Sequence, residues 1–261
     1  PEWDPNRLVQ KIPFNVALVG GRRQGKSTAV SDLLRRMQTK FDLVISFIGS
    51  ASCNPVLQEQ MSQFWDDRFF FPEWDCELMA KLLQQQEELQ RTGARREVLL
   101  LIDDVILGSS AEDQLAHMCM RGRHFRVSVC MCAVSYTSLP KRARRSLDTL
   151  LVFSCPMKGD MQILTWEYCQ NQQMARFAMN SLKEYQCLVL ETLEKKQSLF
   201  VWRADLIGVE LPESQESESL PEPVLSKTES SPVTAEEHPP ADRQTYSASP
   251  SGDTGLPESH S

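Results

Sequence analysis

The sequence predicts an α/β fold: a mostly parallel sheet with helices on both faces, then a C-terminal β-hairpin and a disordered tail. Three observations carry this reading. Short apolar runs alternate with amphipathic stretches from residue 14 to about 154, the pattern of parallel strands joined by crossover helices. Val98-Leu99-Leu100-Leu101-Ile102 is apolar throughout, as a strand covered on both faces requires. Beyond Pro212 the composition changes: that stretch holds ten of the 35 acidic residues, only two of the 28 basic ones and eight of the 15 prolines.

The elements follow in order. Asn15–Val19 reads as a strand. A helix starts near Lys26 and places Ala29, Val30, Leu33, Leu34 and Met37 on one face. Residues 42–48 form the next strand, 77–90 a helix that stops at Gly93, and 98–102 the apolar strand. A helix over 112–122 and strands over 127–134 and 150–154 complete the alternation, and helical stretches occupy 158–184. Residues 187–193 and 199–204 read as the hairpin, with Glu194-Lys195-Lys196-Gln197 at its turn.

The formal net charge is −7, but the tail from Pro212 carries −8 of it, which leaves +1 for residues 1–211. Residues 1–211 are therefore expected to be the folded domain and 212–261 an acidic Pro/Ser-rich tail that cannot bury enough apolar surface to order itself. That tail is read either as a solvated extension or as a phosphorylatable interaction segment. The eight cysteines include no C-x-x-C pair, so neither a disulfide framework nor a zinc site is expected, and a reducing compartment fits. Cys130 and Cys132 share one face of a strand and are read as packing residues. No apolar run reaches the length of a membrane span. The chain begins with Pro1, as a fragment or a processed product does.

Gly20-x-x-x-x-Gly25-Lys26-Ser27 fits the P-loop pattern, between a strand and a helix. In such a loop the backbone of Gly20, Gly21, Arg22, Arg23, Gln24 and Gly25 curls so that its N–H groups face phosphate oxygens. The helix N-terminus at Lys26, Ser27 and Thr28 adds positive potential. Lys26 is the candidate for the β- and γ-phosphates of ATP, and the Ser27 hydroxyl for Mg²⁺. A P-loop needs a second carboxylate at the end of a buried strand. Asp103 and Asp104 stand there, Asp103 as the Mg²⁺ ligand and Asp104 to orient or deprotonate the attacking water.

These residues resemble the genome-packaging ATPases of poxviruses and other large DNA viruses, a branch of the FtsK–HerA class of DNA-pumping ATPases also found in Polinton-type elements. The similarity covers roughly 12–205 and runs through Val19–Thr28, Leu101-Ile102-Asp103-Asp104-Val105, Gly122-Arg123-His124 and Tyr136-Thr137-Ser138-Leu139-Pro140, then Arg144 and Asp148. The aspartate pair is itself typical of the viral branch. The resemblance implies a P-loop NTPase that hydrolyses Mg²⁺-ATP, works as a homo-oligomeric ring on double-stranded DNA and meets a capsid or portal partner. It also implies a place in the virion or at the viral assembly site, or inside the cell if the chain is not viral. It nominates Arg144 as a finger on the neighbour's nucleotide; the alternatives for the run Lys141–Arg145 are a solvated helix face or DNA phosphate contacts. Arg123 is a second finger candidate, His124 a structural residue, and Arg22 and Arg23 face phosphates or a neighbour. Trp65, Trp74 and Trp166 are expected to pack.

Two positions depart from the family. Its usual glutamine before the Tyr…Leu-Pro segment is replaced by Val134, beside Ser135, and its usual asparagine after the arginine by Ser146. Val134 removes a polar group from the γ-phosphate side. A catalytically weakened nucleotide-binding scaffold is therefore one alternative to the motor, and a P-loop kinase, with 141–145 as its lid, is another.

Overall fold

The computed structural model of the chain describes residues 1–49, 62, 69–154, 158–169, 171–192 and 198–204. Cys53, Trp65, Cys155, the hairpin turn 194–197 and the tail from Pro212 lie outside them. The described elements are α1 (Asn6–Val9), β1 (Asn15–Val19), α2 (Lys26–Arg36), β2 (Leu43–Ile48), β3 (Phe70–Phe71), α3 (Cys76–Arg91), β4 (Val98–Asp103), α4 (Ser109–Arg121), β5 (Val127–Ala133), α5 (Lys141–Arg144), β6 (Thr149–Val152), α6 (Lys158–Tyr168), α7 (Gln172–Asn180), β7 (Gln186–Glu191) and β8 (Ser198–Arg203). Short 3₁₀ turns at Gly122–His124 and Tyr136–Ser138 precede and follow β5.

The strands form one sheet in the order β3-β2-β4-β5-β1-β6-β7-β8. All pairs from β3 to β6 are parallel; β7 and β8 add an antiparallel hairpin. The expected alternation and hairpin are thus present, with β3 and α1 as additions.

Period-2 alternation splits the strands between two cores. Ala17, Val19, Leu100 and Ile102 face a cluster with Met79, Leu115 and Leu164 from α3, α4 and α6. Val16, Leu18, Leu99 and Leu101 face the apolar stripe of α2, with Ala29, Val30, Leu33, Leu34 and Met37 all buried as the spacing predicts. Strands apolar on both faces belong under helices on both faces.

An N-terminal strap closes the hairpin side. Trp3 stacks edge-on against Trp202 at 5.4 Å and donates its indole N–H to Glu191 Oε1 at 2.9 Å. Arg7 pairs with the same carboxylate at 2.7 Å. Burial pushes Glu191 up, but the bonds from Arg7 and Trp3 outweigh it and hold the carboxyl below its usual range.

Candidate nucleotide site

β1 enters the sheet beneath the loop Gly20–Gly25, and α2 leaves it. Gly25 sits at φ 93° as the residue before the helix, a left-handed conformation open to glycine at no steric cost. It gives α2 no side-chain cap, and the first turn of α2 carries no acidic residue. By contrast, Asp75 caps α3 through the N–H groups of Glu77 and Leu78, and Asn171 caps α7. The N-cap glycine thus offers the first N–H groups of α2 no side-chain acceptor, an arrangement in which a helix end can take an anion. Lys26 Nζ reaches back over the loop to the carbonyls of Gly20 and Gly21, at 2.7 and 2.8 Å. Arg22 and Arg23 are exposed.

The acidic half of the site lies two strands away. β5 runs between β1 and β4, with Cys132 in register with Leu18 on one side and Asp103 on the other. Two strand spacings put β1 and β4 about 10 Å apart, so the P-loop and the carboxylates face each other across the end of β5. Burial pushes the Asp103 carboxyl up, Asp104 pushes it further, and Lys26 opposes both. Burial likewise lowers Lys26, against Cys132, Asp103 and Asp104. Cys132 forms the floor between them. Its hydrogen bond with Cys130, then its burial, keep the thiol protonated, so both cysteines pack as expected. Among the described residues no group of three or more His, Cys, Asp or Glu could hold a metal ion.

Asp104 turns the chain at φ 53°, a left-handed conformation that aspartate tolerates better than most residues. The turn is braced from β2. Gly49 donates its N–H to the Asp103 carbonyl at 3.0 Å, and a Cβ on Gly49 would lie 2.1 Å from the Asp104 carbonyl oxygen. Only glycine fits that approach. Asp104 itself is exposed.

Lys26, Asp103 and Asp104 are thus brought together, while Arg144 is not among the charges that act on them. Arg144 stacks its guanidinium over the Tyr136 ring at 4.8 Å, and its Nε and Nη1 atoms are buried without a hydrogen-bond partner. Tyr136 in turn bonds Glu167, and Tyr168 packs edge-on against it at 5.9 Å. Val134 directly follows β5 and is 48% exposed. Ser135 donates to Asp160 at 2.5 Å, as does Thr137 at 2.8 Å, and the Tyr136 N–H adds a third bond. Burial pushes Asp160 up, but these bonds outweigh it and hold the carboxyl low.

One expectation needs correction. Trp166 does not pack: it is 73% exposed on α6, whereas Trp74 does, 4.8 Å from Phe47 and bonded to Gln114. The amphipathic period of α6 is weak, so its sequence gave no sign of which face turned outward. His124 is exposed, at the end of the 3₁₀ turn that precedes β5. Sequence reasoning also missed Gly49, Asp160 and Tyr185, whose ring would lie 3.1 Å from a Cβ on Gly25. They are brought in by tertiary contacts and belong to no local motif.

The sequence profile of the poxvirus A32 protein family matches residues 2–195. The chain belongs to the poxvirus A32 protein family. No curated protein sequence matches it. Among solved structures, this A32-family chain is similar to the genome packaging NTPase B204 from Sulfolobus turreted icosahedral virus 2 in complex with AMPPCP. The identity is 15%, over 78% of this chain and 100% of that one, with a TM-score of 0.51. EssC from Geobacillus thermodenitrificans is similar at 14% identity over 75% of this chain and 40% of that one, with a TM-score of 0.53. The cytoplasmic domain of the type VII secretion ATPase EccC from Thermomonospora curvata is similar at 10% identity over 77% and 26%, with a TM-score of 0.55. At these identities the likeness is one of fold.

Charge linkage gives a first test. Because the folded pKa of Asp103 is raised above the ordinary value of 3.8, its ionised form destabilises the fold above that raised value. The penalty fades as pH falls toward 3.8. Asp103→Asn is expected to raise the melting temperature at pH 7 by a few degrees, with the gain shrinking near pH 4. Scanning fluorimetry across pH reads this; an unchanged or lowered melting temperature at pH 7 would contradict the buried-charge account.

Proposed function

We propose that this chain is an ATP-hydrolysing motor that translocates or packages double-stranded DNA, working as a ring of copies. The observation that carries the reading is the Asp103–Asp104 pair facing Lys26 across the end of β5. Membership in the poxvirus A32 family supports it, as does a fold shared with a viral genome packaging NTPase.

The residues fit their roles. The backbone of Gly20, Gly21, Arg22, Arg23, Gln24 and Gly25 and the uncapped start of α2, through Thr28, hold the ATP phosphates. Lys26 exchanges its two carbonyl partners for β- and γ-phosphate oxygens. Ser27 and Asp103 would hold Mg²⁺, and a bound cation would offset the cost of burying the Asp103 charge, which Lys26 offsets only in part. When bound, Mg²⁺ supplies charge neutralisation on the phosphates. Asp104 orients and deprotonates water from its braced turn. Arg144 serves a neighbouring copy: its chain offers the guanidinium an aromatic face but no hydrogen-bond partner for Nε or Nη1.

Residues 1–211 form the ATPase domain and 212–261 an appended acidic tail. The motor acts at the viral assembly site, with a capsid or portal partner. Among the described residues no helix is long and apolar enough to cross a membrane.

The exposed Val134 favours a second reading, a nucleotide-binding scaffold with little turnover. Mg²⁺-dependent phosphate release with and without duplex DNA separates the two. DNA-stimulated release supports the motor, and binding without turnover supports the scaffold. Lys26→Ala provides the control: it is expected to lose Mg²⁺-ATP binding in calorimetry, and parental affinity would overturn the phosphate-site assignment.

A further inference from the structure

The sheet edge opposite the P-loop carries charge that the nucleotide site does not use. β4, β5, β1 and β6 are parallel neighbours, so the loops that lead into them share this edge. Arg95 and Arg96 precede β4, Arg121 and Arg123 precede β5, and Arg145 precedes β6. All five are exposed, and none is in an ion pair or hydrogen bond of its side chain among the described residues. Elsewhere on the surface, cations such as Arg7, Lys81, Arg91 and Arg142 are paired with carboxylates.

The acids on the edge are already engaged. Glu97 pairs with Arg126. Asp42 accepts the Glu97 N–H at 2.7 Å, and Asp148 accepts the Asn15 N–H at 2.7 Å and also feels the charges of Lys11 and Arg123.

The edge is also concave and rigidly built. Arg95, Arg96, Arg123 and His124 line a cavity of about 370 Å³, and Arg123 joins it to a second, of about 510 Å³, that Arg145 borders. Gln86, buried in α3, donates to the carbonyls of both Arg96 and Phe125, at 3.0 and 2.8 Å. One amide therefore ties the two arginine-bearing loops together.

We propose that this edge binds the phosphate backbone of double-stranded DNA. This rests on the reading of the chain as a DNA motor and assigns that motor a contact surface. Arginine forks bind phosphate oxygens in pairs and stay charged. From β4 to β6 the edge spans about 14 Å, three strand spacings, or about four steps along one DNA strand. The folded part has a net charge of only +1, so the charge acts by being gathered on one edge. Contacts to phosphate carry no sequence information, so this contact is independent of sequence. An acidic protein segment is the competing occupant.

The test compares the full chain with Arg95→Ala/Arg96→Ala/Arg145→Ala. Binding of a short fluorescein-labelled duplex is read by anisotropy across a salt series, with poly-glutamate as the competing probe. The variant is expected to lose about tenfold or more in DNA affinity and to flatten the log–log salt slope by about 3. Its melting temperature and DNA-free ATPase rate should match the parent's. Parental DNA affinity and slope in the variant would overturn the proposal, as would a parent that binds no duplex. Loss of poly-glutamate binding with DNA binding intact would assign the edge to a protein partner and overturn it too. The motor reading fails separately: a parent that binds DNA through this edge but releases no phosphate keeps the surface and loses the motor.

Discussion

Asp104→Asn is expected to bind Mg²⁺-ATP with parental affinity and to turn it over about 10²–10⁴-fold more slowly, the usual worth of a positioned general base. The substitution keeps size and shape, so the left-handed turn at φ 53° survives, since asparagine tolerates that region as aspartate does. The brace from Gly49 acts on the backbone of Asp104 and is also untouched. Only the proton-accepting oxygen is lost. Asp103 and Lys26, which hold the metal and the phosphates in the proposed site, remain. Calorimetry with a non-hydrolysable ATP analogue reads binding, and single-turnover phosphate release reads the chemical step. A variant that hydrolyses at the parental rate would remove Asp104 from the mechanism. One that cannot bind nucleotide would mean the turn holds the site's shape rather than its base.

Arg144→Ala is expected to lower turnover by about 10³–10⁵-fold, the range for a finger that stabilises charge on the transferred phosphoryl group. The physical reason lies in what the chain withholds. The guanidinium rests on the Tyr136 ring with Nε and Nη1 buried and unpaired, and a covered charge without a partner is costly. In the proposed ring, a neighbour's nucleotide would supply the missing anion. Trans action has its own signature. Arg144→Ala mixed with Asp104→Asn should regain part of the parental activity, because some interfaces then join an intact Asp104 to an intact Arg144. Mixtures that stay inactive while sedimentation confirms ring formation would rule out trans supply. Parental activity in Arg144→Ala alone would leave the basic run as a DNA or solvent face. Lys141, Arg142 and Arg145 are all exposed around it, so loss of any one of them should have a far smaller effect.

Much of this was legible in the order of residues, because its causes are local. The glycine spacing before Lys26 specifies a loop that curls. The apolar run 98–102 specifies a strand buried on both faces, and the stripe from Ala29 to Met37 specifies the face that α2 buries. A carboxylate pair at the end of such a strand is so poor a core that it stands out in the sequence as a candidate site. What the tertiary structure decided depends on contacts between distant segments. β5 entering between β1 and β4 sets the gap across which Lys26 and Asp103 face each other, and strand order is not written in any local period. Gly49 reads as an ordinary strand end until the Asp104 carbonyl arrives beside it. Trp166 could have faced inward or outward on α6, and packing turned it to solvent. The arginines before β4, β5 and β6 are scattered over fifty residues of chain, and they become one charged edge because parallel strands bring all their entry loops to the same side.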